Sequence, residues 1–210
     1  MICDVTAVLL AGGRSRRMGQ DKRFLQVGHQ SLFDRSLAVL RDNFEQVEVV
    51  IAHDGESLDA PVPVLRDHIP DCGSLGGLYT GLKHAATPYV FLAACDMPFL
   101  HPIVIHRLVE RKDGVDIVMA TSENGVQPTH ALYSQRCRPV IEDMLRGHHL
   151  RIQDLLKNLE LRFCLVPMGD FRDIDPRLLS FMNVNTPDEL KCAQELSSTI
   201  PLSDGKQETS

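Results

Sequence analysis

The chain has 210 residues, 43% of them hydrophobic, and this supports one substantial core at a length that favours a single domain. Its formal net charge of −6 argues against a general nucleic-acid surface, and the lack of an apolar run of roughly eighteen residues argues against a membrane span. Six cysteines (Cys3, Cys72, Cys95, Cys137, Cys164, Cys192) without a Cys-x-x-Cys pair read as reduced thiols, not a disulfide frame or zinc site. With no basic segment leading into an apolar stretch after Met1, no signal peptide is expected and a cytoplasmic location follows.

Apolar, β-branched runs predict buried strands at Val5–Leu10, Val47–Ala52, Tyr89–Ala94 and Val115–Ala120, with a short one at Val62–Leu65. Spacing near 3.6 residues predicts helices over Leu32–Leu40, Leu75–Ala86 and Ile103–Arg111 between them. Strand and helix in alternation imply an α/β fold with a mostly parallel sheet covered on both faces. Further on, Gln127–Tyr133 reads as a strand leaving a turn at Pro128, and Leu161–Val166 as another. Arg138–Leu145 and Leu150–Leu159 read as helical. The last helix is Thr186–Leu196, with Thr186 as N-cap, Pro187 at the first helical position and Asp188 and Glu189 in the first turn. Residues 1–196 form the expected domain, and the polar stretch 197–210 reads as a disordered tail.

Leu9-Leu10-Ala11-Gly12-Gly13-Arg14-Ser15-Arg16-Arg17-Met18-Gly19-Gln20-Asp21-Lys22 carries the strongest functional signal. It follows a buried strand, where Gly12 and Gly13 let backbone N–H groups approach an anion closely. Arg14, Arg16, Arg17 and Lys22 add positive charge where a triphosphate would lie. The loop is neither a Walker loop nor a dinucleotide fingerprint. A solvated basic loop is the alternative, and four cations so close together in an acidic chain weigh against it.

A second segment, Phe91-Leu92-Ala93-Ala94-Cys95-Asp96-Met97-Pro98, sets a carboxylate directly after a buried strand. In parallel sheets ligands gather at the carboxyl ends of strands, so Asp96 and the first loop are expected at one edge. There Asp96 suits Mg²⁺, which takes one or two carboxylates plus phosphate oxygens and water. A turn, or a cap for the helix near His101, is the other reading. In Gly73-Ser74-Leu75-Gly76-Gly77-Leu78 the bare start of a helix admits either a flat base against backbone or close packing on the sheet.

Taken together, these segments resemble the molybdenum cofactor guanylyltransferases. The resemblance rests on Leu10–Gly19 with Asp21-Lys22, on Gly73–Leu78, on Asp96-Met97-Pro98, and on the later stretches Gln127–Tyr133, Arg151–Leu156 and Asn183–Asp188. It runs in order to about Leu196, and its first motif is shared with cytidylyl and sugar-nucleotide transferases. It implies a Rossmann-like nucleotidyltransferase fold and transfer of GMP from GTP to molybdopterin, with pyrophosphate released. By the same resemblance Lys22 and Arg16 hold the triphosphate and Asp96 binds Mg²⁺. Leu10, Ala11, Gly12 and Gly13 line the base pocket, and Asp67 and Gly76 lie near guanine and ribose. Gln127, Arg151, Asn183 and Asn185 face the acceptor. The family pattern leaves room for transient contact with molybdoenzymes or their chaperones, and none for nucleic acid or membrane.

Two positions depart from the family. His53 stands where relatives often carry a nucleotide-contacting asparagine, and is read either as its substitute or as an exposed loop histidine. Ser74 replaces a proline, which alters loop stiffness more than chemistry. His148 and His149 adjoin Arg146 and Arg151 without forming a metal site. A cytidylyltransferase, or a non-catalytic nucleotide-binding partner, is the alternative function.

Overall fold

The computed structural model describes residues 1–12 and 21–199. A seven-stranded sheet runs in the order β5-β4-β1-β6-β8-β7-β9. Its strands are β1 (Ile2–Leu10), β4 (Phe44–Ile51), β5 (Val64–Arg66), β6 (Tyr89–Ala94), β7 (Ile117–Ser122), β8 (Gly125–Ser134) and β9 (Phe163–Pro167). A two-stranded hairpin, β2 (Gln26–Val27) with β3 (Gln30–Ser31), stands apart. Every sheet pairing is parallel except those of β8, which is antiparallel to β6 and to β7. β1 and β6 bury nearly every side chain, because helices cover both faces of the sheet.

One face carries α1 (Leu32–Asn43) and α3 (Pro102–Val109), which send Phe33, Leu37, Leu40, Val104, Ile105 and Leu108 into a core with Val5, Leu9 and Phe91. The other carries α2 (Gly73–His84) and α4 (Cys137–Arg146), with Leu75, Leu78, Leu82 and Ile141 against Val8, Leu92 and Tyr133. The last helix, α5 (Pro187–Thr199), closes a smaller cluster with the hairpin through Val27, Leu32, Val184 and Ala193. No described helix is long and apolar enough to cross a membrane.

Strand order positions the site. From β1 the chain crosses through α1 to β4 on one side, and later through α2 to β6 on the other, so the crossover direction reverses at β1. A crevice opens at such a reversal, outside the carboxyl ends of the strands. Main-chain bonds extend the sheet into it: Ala11 N–H to the Val50 carbonyl (2.9 Å), Asp67 N–H to Ile51 (2.9 Å) and Cys95 N–H to Leu10 (3.0 Å).

Three local expectations are corrected. Pro128 lies inside β8, not in a turn before it. The Leu150–Leu159 stretch is a 3-10 turn, Ile152–Lys157, that uses Ile152 and Leu155 as apolar anchors. Residues 197–199 are helical, because α5 runs on to Thr199, and residues 200–210 lie outside the described ones.

Candidate active site

Leu10 ends β1, buried Ala11 comes next, and Gly12 follows into the crevice. A Cβ on Gly12 would sit 2.6 Å from the Ala52 backbone nitrogen, so only glycine lets the chain pass this close to the end of β4. Gly13, Arg14, Arg16 and Arg17 lie outside the described residues.

The chain re-enters at Asp21, which organises the next turn. Its carboxylate accepts from the Arg23 backbone N–H (3.0 Å) and from Arg23 Nε (2.8 Å). This caps a 3-10 turn over Lys22–Phe24 and draws the Arg23 side chain inward. Lys22 is then turned the other way, and its Nζ donates to Asn185 Oδ1 at 2.7 Å and lies 3.5 Å from Asp96 Oδ2. Three residues from three distant parts of the chain thus meet; Lys22 and Asn185 are 163 positions apart.

Asp96 stands in the turn that ends β6, where Met97 N–H returns to the Ala94 carbonyl. Its own carbonyl accepts from Val184 N–H at 2.8 Å, pinning the Asn183–Asn185 segment to the strand end. The cap of α3 is made by His101, whose Nδ1 accepts from Ile103 N–H, so Asp96 is not needed there. Burial raises the Asp96 pKa from its ordinary value, opposed by the Lys22 ammonium. Burial pushes the adjacent Cys95 thiol up to about 12, which keeps it protonated and unreactive.

The other side of the crevice is built by Asp67 and the start of α2. Asp67 is buried; its Oδ1 accepts from Thr80 Oγ1 (3.0 Å) and from Ile69 N–H (3.2 Å). Its pKa is raised by burial, which these two hydrogen bonds oppose. A Cβ on Gly76 would lie 2.7 Å from Asp67 Oδ2, so the bare glycine is what lets the helix start pass beside the carboxylate. Gly73 opens α2 at φ +56°, a conformation that favours glycine. His53 Nδ1 lies 2.9 Å from the Asp67 carbonyl. A carbonyl only accepts, so Nδ1 carries a proton, and the neutral ring presents Nε2 as an acceptor.

The acceptor-side residues divide. Asn183 and Asn185 share the segment pinned to Asp96. Gln127, on β8, donates from Nε2 to the Phe181 carbonyl at 3.2 Å and so braces the turn that leads to that segment. Arg151 is exposed at the entry to the Ile152–Lys157 turn, and among the described residues no hydrogen bond or ion pair joins it to the cluster. Sequence reading missed the Asp21–Arg23 clamp and the reach of Glu189. The only local signals for them are an acid two residues before an arginine, and one three residues after a capping threonine.

A strand-end crevice lined by a lysine, a carboxylate and a bare helix start, on a mostly parallel sheet, is the layout of an NTP transferase. A family model described as MobA-like NTP transferase domain matches residues 7–162. A molybdenum cofactor guanylyltransferase of Desulfosudis oleivorans is 33% identical over 192 residues, covering 90% of this chain and 94% of its own. One from Syntrophotalea carbinolica is 34% identical, covering 89% of each chain. The crystal structure of molybdopterin-guanine dinucleotide biosynthesis protein A from Archaeoglobus fulgidus superposes with a TM-score of 0.82 at 27% identity, covering 93% of this chain and all (100%) of that one. The chain belongs to the molybdenum cofactor guanylyltransferase family.

Proposed function

We propose that this protein transfers GMP from GTP to the terminal phosphate of molybdopterin and releases pyrophosphate. The observation that carries this reading is the meeting of Lys22, Asp96 and Asn185 at the carboxyl ends of β1 and β6. An oxygen of the acceptor phosphate attacks the α-phosphorus of GTP while the bond to the β-phosphate breaks. Positioning and charge neutralisation supply most of the catalysis in such transfers, and no side-chain nucleophile is required.

Lys22, with Arg16, holds the triphosphate and stabilises negative charge on the departing pyrophosphate. Leu10, Ala11 and Gly12 form the floor beneath the base. Asp67, beside bare Gly76, receives guanine or ribose donors, and His53 Nε2 offers one further acceptor. Asn183 and Asn185, with Arg151, face the acceptor phosphate, and Gln127 serves them by bracing the turn that leads to their segment. Asp96 would hold Mg²⁺, whose charge would offset that of the phosphates. The residues fit that ion: Asp96 offers a partly exposed carboxylate at the strand end beside Lys22, and one carboxylate completed by phosphates and water is a magnesium arrangement.

The first test is thermal protection. The protein is melted with Mg²⁺ and each of GTP, CTP, UTP, ATP and dTTP, then assayed for transfer to molybdopterin. A nucleotide present at a hundred times its Kd adds about 2.7 kcal/mol to stability. Selective protection by GTP and formation of the guanine dinucleotide are expected. Selective protection by CTP would replace this reading with a cytidylyltransferase, and protection without transfer would replace it with a non-catalytic nucleotide-binding partner.

A further inference from the structure

Thr186 and Glu189 form a reciprocal cap at the start of α5: Glu189 N–H donates to Thr186 Oγ1 (3.2 Å), and Glu189 Oε2 accepts from Thr186 N–H (2.9 Å). A helix needs no more than this. Glu189 nevertheless reaches one residue further out, and the same Oε2 accepts from the Asn185 backbone N–H at 2.6 Å, the shorter of its two bonds. The residue so held is the one whose Oδ1 accepts from Lys22 Nζ at 2.7 Å. On its other side, Val184 N–H is bound to the Asp96 carbonyl at 2.8 Å. Residues 184–186 are therefore fixed at both ends, with the Asn185 carboxamide aimed into the cluster from between.

We infer that Glu189 is a positioning residue for the transfer. Its carboxylate fixes the backbone of Asn185, so that the carboxamide, which accepts from Lys22 Nζ, is held towards the acceptor phosphate. Glu189 touches neither substrate and acts only through Asn185. This role rests on the guanylyltransferase reading and extends it, because it makes the C-terminal helix part of the acceptor side. A charged acceptor bound to two successive N–H groups sets that backbone more firmly than the cap alone, and misplacement by about 1 Å in such a site costs on the order of a hundredfold in rate.

The test compares Glu189→Ala, Glu189→Gln and Thr186→Ala with wild type, well below each melting temperature. Thr186→Ala removes half of the cap and leaves the Asn185 bond. Glu189→Ala is expected to lower kcat/KM for molybdopterin by about tenfold to a hundredfold, with KM for GTP within about twofold of wild type. Thr186→Ala is expected to lower the melting temperature while keeping near wild-type kinetics. Glu189→Gln, whose amide oxygen still accepts both N–H groups, is expected to restore most of the loss. Equal kinetics in Glu189→Ala and Thr186→Ala would overturn the positioning role and leave a plain helix cap. A glutamine variant as impaired as the alanine one would overturn it too, because the carboxylate would then act by its charge near Asp96. If the alanine variant does not fold, the glutamine variant must show a small rise in acceptor KM with GTP KM unchanged, and no change overturns the role. Wild-type protein that transfers no nucleotide to molybdopterin overturns the guanylyltransferase reading and the positioning role together.

Discussion

Asp96 carries the largest conflict between stability and function at a single residue. Partial burial raises its pKa, and Lys22 at 3.5 Å offsets that only in part, so desolvation wins. The native state then binds the Asp96 proton more tightly than the unfolded chain does. Ionisation therefore costs native stability as pH rises from the ordinary carboxylate value through the folded pKa, and the cost is complete above it. Asp96→Asn should abolish turnover while raising the urea midpoint at pH 7.5, an advantage that fades as pH falls below the carboxylate range. Full activity with Mg²⁺ in that variant would remove the metal role. Lys22→Ala acts in the opposite sense: it strips the carboxylate of its counter-charge and raises the Asp96 pKa further. Turnover should fall strongly, and the acid limb of the rate profile should move to higher pH; an unchanged rate would take Lys22 out of the mechanism.

Among the elements, α2 shows how function and packing share one sequence. Gly76 passes beside Asp67, whereas Gly77 and Gly81 lie against Leu10 and Val8 of β1. A Cβ on Gly81 would come within 2.7 and 3.0 Å of the two Val8 methyls, and a β-branched side chain has little rotamer freedom with which to yield. Alanine gains about 1 kcal/mol over glycine inside a helix, and overpacking costs about 1–3 kcal/mol. Overpacking should win: Gly81→Ala is expected to lose up to about 2 kcal/mol of stability, measured by urea unfolding. A stabilised variant would show that α2 can move off the sheet. The sequence reading left base contact and sheet packing open for the glycines of this stretch, and the structure packs Gly77 against Leu10 while Gly76 passes beside the Asp67 carboxylate.

For the molecule as a whole, β8 is the decisive strand, since it joins the β6 side of the sheet to β7 and β9 by running against both. It also buries His130 completely, with its ring 5.5 Å from Phe91 and 5.1 Å from Phe181 and neither nitrogen hydrogen-bonded. Burial lowers its pKa to about 4, against weaker opposing pulls from the Ser180 backbone and then from Asp175. A histidine held neutral in the native state is protonated first in the unfolded chain, so its contribution is intact above the ordinary histidine range. It is lost as pH falls from about 6.5 towards 4. His130→Leu should therefore flatten the decline of the urea midpoint between pH 6.5 and 4.5. The same decline in that variant would assign acid sensitivity to other groups.

Buried parallel strands are continuous apolar runs, so Tyr89–Ala94 could be read from sequence with the bounds the structure gives it. Thr186, Pro187 and Glu189 likewise spelled out a helix start, because capping is satisfied within a few residues. Asp96 announced itself as a charge at the end of an apolar run. The direction of β8 had no such local mark, since an apolar strand looks alike in parallel and antiparallel pairings once both faces are covered. Nor could spacing show that Asn185 meets Lys22, or that Gln127 is spent on bracing Phe181. Local order follows from short-range sterics and hydrogen bonding, which each segment carries in its own residues. Which segments meet is decided by the joint burial of all of them, and that exists only in the folded chain.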